Sequence, residues 1–155
     1  MRQDERHAAQ EAALDALLAA LGLEHHEQPD ERVARLDAQA PGYARHHRIG
    51  HKRQTAYRAL EADRALTARH ADLVVQALAA DDDPTSPSWL TRALLAAIGH
   101  RRTMEALLTL LEHGTPHQRT CAAAAWHWAR PPAHHATAVA DLDTRFREAV
   151  TREAE

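Results

Sequence analysis

The chain has 155 residues, enough for one ordinary domain that buries about two-thirds of its unfolded surface without help from a metal or a disulfide. Alanine (35) and leucine (18) dominate, valine and isoleucine together number 7, aromatic residues make up 4%, and there are 5 glycines. This composition suits helices and excludes a sheet-based fold. A formal net charge of −3 imposes no overall attraction to anionic or cationic partners, and the single Cys121 excludes an internal disulfide.

Apolar residues recurring at helical spacing predict a first helix over residues 3–21, with its stripe at Ala9, Ala13, Leu14, Leu17, Leu18 and Leu21 and Gly22 closing it. After a polar loop, Asp30 is placed to cap a short helix carrying Val33, Leu36 and Ala40, stopped by Pro41-Gly42. Residues 43–66 read either as one helix or as two with a break at Ile49-Gly50-His51, and a further helix over 67–80 ends at Asp81-Asp82-Asp83-Pro84. Ser88 opens a helix that Gly99 ends, and residues 102–113 form the next. Gly114-Thr115-Pro116 then places a helix end, an N-cap and a first helical position in three consecutive residues. The helix over 116–130 is apolar on nearly every side, which predicts burial on several, until Pro131-Pro132 stops it. A last amphipathic helix covers 133–153. The total is seven to nine helices joined by short connectors, which force neighbours to lie antiparallel.

Two segments match at an offset of 49 residues: Ile49-Gly50-His51-Lys52-Arg53 and Ile98-Gly99-His100-Arg101-Arg102. A Leu-rich helix, a tight turn and an Ala-rich helix with an early arginine follow one another over 104–125. This arrangement resembles the HEAT-type helical repeats, whose period is about 40–47 residues. Arg119 matches the family's helix arginine, while Thr115 and Pro116 stand at the turn, Thr115 where the family has Asp. A second, looser unit over 73–98 has Asp83 as its turn acid and Arg92 as its arginine, with 84–87 lengthening the turn. The resemblance covers about residues 68–130. It implies an all-α right-handed superhelix of stacked antiparallel helix pairs, with 1–48 as a divergent N-terminal cap and 132–155 as a C-terminal capping helix of a single domain.

Residues 41–70 hold 7 basic and 2 acidic side chains, a basic band between acidic flanks. Within it, Arg45, Arg48, Lys52 and Arg53 form a cluster that, with Arg101 and Arg102 from the matching segment, could contact phosphates. The competing reading is a solvated turn whose cations pair with nearby carboxylates. Thirteen histidines raise the question of a metal site, but adjacent pairs diverge on a helix, His113 and His117 straddle a turn, and no His-Glu-x-x-His occurs. Neither a Gly-x-Ser-x-Gly nor a Gly-rich phosphate loop is present, and Asp141 and Asp143 diverge. Trp126 and Trp128 lie on opposite faces of one helix, so one belongs to the core and the other faces a neighbour or a groove. No stretch approaches ~18 uninterrupted apolar residues and no apolar leader opens the chain, so the expectation is a soluble, cytoplasmic protein with no membrane contact. These features predict a non-catalytic scaffold without cofactor or metal that binds a protein, a second copy of itself included. Nucleic-acid binding through the basic segments and ligand or metal binding through the histidines stand as the alternatives.

Overall fold

A computed structural model describes residues 3–81, 83 and 87–154, and among these the chain is helical with no strand. The elements are α1 (Gln3–Ala20), α2 (Glu31–Gln39), α3 (Tyr43–Ala62), α4 (Arg64–Arg69), α5 (Ala71–Ala79), α6 (Pro87–His113), α7 (Pro116–Ala129), a 3-10 turn (Ala133–Val139) and α8 (Ala140–Ala154). None is long and apolar enough to cross a membrane.

The helix ends follow local chemistry. Asp30 accepts from the backbone N–H groups of Arg32 (2.8 Å) and Val33 (3.3 Å), and Asp63 accepts from that of Leu66 (2.9 Å), each satisfying otherwise orphaned donors. Thr115 and Gln118 form a reciprocal capping box, and Pro116 occupies the first turn where its missing N–H costs nothing. Gly114 is needed for close approach: a Cβ there would strike the Leu110 carbonyl oxygen.

α1 packs on α3 and α5. α6 is the spine, touching α3, α4, α5, α7, α8 and the 3-10 turn, with its broadest contact against α7. Leu14, Leu17, Ile49, Leu60, Val74 and Leu78 fill the N-terminal side of one continuous core. Leu90, Leu94, Met104, Leu107 and Trp126 fill the C-terminal side. Trp126 stacks on Phe146 at 4.4 Å between ring centres and donates from Nε1 to Asp143 Oδ1 at 3.2 Å, so α8 rests on α7 through an aromatic pair with its polar edge satisfied. Trp128, on the other side of α7, stays 50% exposed.

The matching Ile-Gly-His segments differ in conformation. α3 is continuous through Gly50, so there is no break there and residues 45–53 are helix rather than turn. A glycine in a helix interior costs only about 1 kcal/mol, and buried Ile49, Lys52, Arg53 and Ala56 around it hold the helix down. Gly99, by contrast, has φ 79° and ψ 170° and kinks α6 into two arms. The Thr103 hydroxyl donates to the Gly99 carbonyl (2.8 Å), and His100 Nδ1 donates to the Ala129 carbonyl (2.8 Å), which ties the kink to the end of α7. Three other expectations shift. The boundary at residue 48 falls inside α3. The segment 43–66 divides at Asp63 into α3 and α4. The predicted helix over 133–153 opens as a 3-10 turn before α8. The lengthened turn over 84–87 lies, up to residue 86, outside the described residues, as does Asp82.

Candidate functional site

Arg45, Arg48 and Lys52 fall at i, i+3 and i+7 on α3 and share one face, which is turned toward α1. There α1 offers Glu11 and Asp15, one turn apart. Arg48 grips Glu11 with two nitrogens, Nε to Oε1 at 2.6 Å and Nη2 to Oε2 at 3.2 Å. Lys52 Nζ donates to Glu11 at 2.9 Å and lies 2.6 Å from Asp15, while Arg45 Nε sits 3.7 Å from Glu11. Arg48 also reaches Glu27 at 3.5 Å. Three cations therefore meet three carboxylates.

The electrostatics follow from this packing. The Arg48 hydrogen bond is the main influence on Glu11, and with Lys52 it outweighs burial and holds the carboxyl at about 2, below its ordinary 4.5. The same contact raises Arg48. Burial alone would lower Lys52, but its bonds to Asp15 and Glu11 carry it above its usual value. Glu11, Arg48 and Lys52 are thus each held in the charged form by the others, and the cluster reads as an electrostatic clasp between α1 and α3.

Arg53 projects from the next face of α3 and is 5% exposed. It donates to Asp81 at 3.0 Å and to Asp83 at 2.9 Å, while Gln10 Nε2 donates to the same Asp81 oxygen at 2.6 Å. The end of α5 is thereby fastened to α1 and α3. Asp83, the turn acid of the looser repeat unit, meets Arg53, and Arg92 is exposed. Arg119, in the first turns of α7, donates to the Gly114 carbonyl (3.3 Å) at the turn before that helix. Arg101 holds Asp141 (2.7 Å), Glu105 (3.1 Å) and the Ala138 carbonyl (3.0 Å), and so binds α8 and the 3-10 turn to α6.

Of the six cations singled out by sequence, five therefore face carboxylates of the same chain, those of the two basic segments in separate networks. Arg102 is the exception: it is exposed and makes no ion pair or side-chain hydrogen bond among the described residues. Glu11, the hub of the clasp, was not anticipated. Its signal was the Glu11/Asp15 spacing on a helix preceding a basic band, which is legible only once α1 and α3 are known to touch.

The histidines gather without converging. A cavity of about 900 Å³ between residues 25–31, α2 and α3 is lined by His25, His26, His47 and His51, with Arg48 and Glu27. The His47 and His51 rings are 4.3 Å apart. Burial, helped by nearby Lys52, lowers the His25 pKa. His117 Nε2 lies 3.7 Å from the buried thiol of Cys121. Among the described residues no three His, Cys, Asp or Glu side chains come together as a metal would require.

A second recess, of about 440 Å³, runs between α5 and the second arm of α6. Ala71 and Val75 line it from α5, and Ile98, Ala106 and Leu110 from α6. Asp72 and Arg102 stand on its two walls. Ala71 and Val75 form a second apolar stripe on α5, offset from the buried Val74, Ala77 and Leu78. The sequence alone does not mark this stripe, because α5 is apolar on more than one side and its periodicity singles out no face.

No known protein family, no curated protein and no solved structure matches the chain.

Proposed function

We propose that the chain is a non-catalytic helical scaffold, in the manner of HEAT-type stacked helix pairs, that binds a protein in the groove between α5 and the second arm of α6. The observation that carries this reading is the groove itself: five apolar side chains line it, with charged groups at its edges. An apolar centre with a polar rim is the anatomy of a protein-binding surface, and a trough between two helices suits a third helix.

Nucleic-acid binding is the weaker reading. A phosphate contact requires a cation free to displace the counterions condensed on the nucleic acid, and Arg45, Arg48, Lys52, Arg53 and Arg101 already face carboxylates. A cytoplasmic setting accords with a single cysteine, which can form no disulfide within the chain.

A photo-crosslinking residue placed at Ala106, compared in cells with one at exposed Ala124 on α7, tests the proposal. A protein adduct formed at 106 and absent at 124 is the expected result. Adducts to nucleic acid alone, or none at 106, would remove the reading.

A further inference from the structure

We propose that the occupant of the α5–α6 groove is a second copy of this chain, related by a two-fold axis so that the two α5–α6 pairs meet as a four-helix layer. The inference rests on the protein-binding reading above and names its partner.

A two-fold interface must be self-complementary, because whatever one wall of the groove offers, the opposite wall of the partner receives. The groove meets this condition in its charges. Asp72 stands on the α5 wall and Arg102 on the α6 wall, both exposed. Among the described residues neither makes an ion pair or side-chain hydrogen bond, whereas the nearby Glu105 is already held by Arg101 at 3.1 Å. A two-fold operation across the groove sets Asp72 of each copy against Arg102 of the other and satisfies both charges twice. Walls of a single sign would repel their own image and would call for a different partner.

The apolar lining supports the same arrangement. Ala71 and Ala106 are small enough for helices to approach within the usual 8–10 Å. Val75, Ile98 and Leu110 are only partly buried, each packed against the core on one side and open on the other. Burial of this stripe supplies the affinity, and the two charge pairs set the register and exclude wrong partners. Gln76 and Thr109, also on the groove, provide hydrogen-bonding groups at its margin.

Sedimentation equilibrium on the full chain tests this with five samples: wild type, Asp72→Arg, Arg102→Asp, the double variant, and an equimolar mixture of the two single variants. Circular dichroism on each confirms that the helices are retained, since Asp72 lies in the first turn of α5 and its replacement also removes a favourable helix-end charge. Wild type is expected to dimerise. Each single variant makes both symmetry-related pairs repulsive and weakens the dimer by about tenfold or more. The double variant restores it. The mixture restores it too, because in the mixed dimer the introduced arginine faces the introduced aspartate and the native pair faces itself. No effect confined to one chain is repaired by mixing.

A wild-type chain that stays monomeric up to ~1 mM overturns the inference, as does a dimer indifferent to these charges. If the chain is monomeric while the photo-crosslinker at Ala106 still captures another protein, the second copy falls and the protein-binding reading stands. If neither association occurs, both fall.

Discussion

Replacing Glu11 with glutamine keeps the side chain's shape and removes the charge on which Arg48, Lys52 and Arg45 converge. Wild-type Glu11 titrates at about 2 in the folded chain against an ordinary 4.5, which sets an upper limit of about 3 kcal/mol on its contribution at neutral pH. Water reaches one edge of the cluster, and Lys52 and Arg48 keep Asp15 and Glu27, so the expected loss is about 1–2 kcal/mol. That is a fall of about 2–8 °C in melting temperature for a chain of this size. The sign of the pH dependence follows from the lowered pKa. The stabilisation is complete above the unfolded value near 4.5 and fades as pH falls toward about 2, where the native carboxyl takes up a proton and becomes nearly equivalent to the amide. Urea unfolding of wild type and Glu11→Gln, followed by circular dichroism from pH 7 down to pH 2.5, should therefore give two stability curves that are apart at neutral pH and converge on acidification. A gap below about 0.5 kcal/mol at pH 7, or one that stays constant down to pH 2.5, refutes the idea that the cluster is a load-carrying clasp.

Substitutions at three glycines and two tryptophans give further expected outcomes. Gly50→Ala, in the continuous α3 with nothing near the added Cβ, should raise stability by about 0.5–1 kcal/mol. Gly99→Ala, at a backbone conformation reserved for glycine, should lower it by about 1–3 kcal/mol; equal effects would contradict the two conformations. Gly114→Ala should destabilise in denaturant titration by about 1–3 kcal/mol, because the methyl group meets the Leu110 carbonyl, and a neutral result would mean that the turn relaxes freely. Trp126→Ala should cost about 3–5 kcal/mol and disrupt the contact with α8, while Trp128→Ala should leave the melting temperature nearly unchanged; the reverse order would invert the assignment of the two faces of α7.

Helix identity and many of the helix ends were legible in the residues alone, because they depend on short-range chemistry. Asp30, Thr115 and Pro116 act at the helix starts where the pattern put them, α1 and α7 end within a residue of their predicted limits, and Gly99 breaks its helix as expected. Gly50 did not follow the same rule. A glycine may sit in a helix at small cost or break it, and what decides is whether neighbours such as Ile49 and Arg53 are anchored in a core that sequence does not reveal. The fate of the basic band shows the same division. Local composition groups Arg45, Arg48, Lys52 and Arg53 as one basic cluster along the sequence, and the fold divides it, with Arg53 in a network separate from the other three. Whether such a patch is open to phosphate or closed by carboxylates depends on partners 28 to 41 positions away, at Glu11 and Asp81. Coulomb attraction is set by distance in space, so only the packing of α1 and of the end of α5 against α3 could turn a candidate nucleic-acid contact into an internal clasp and leave Arg102, across an apolar groove from Asp72, as the one of the six with no ion pair among the described residues.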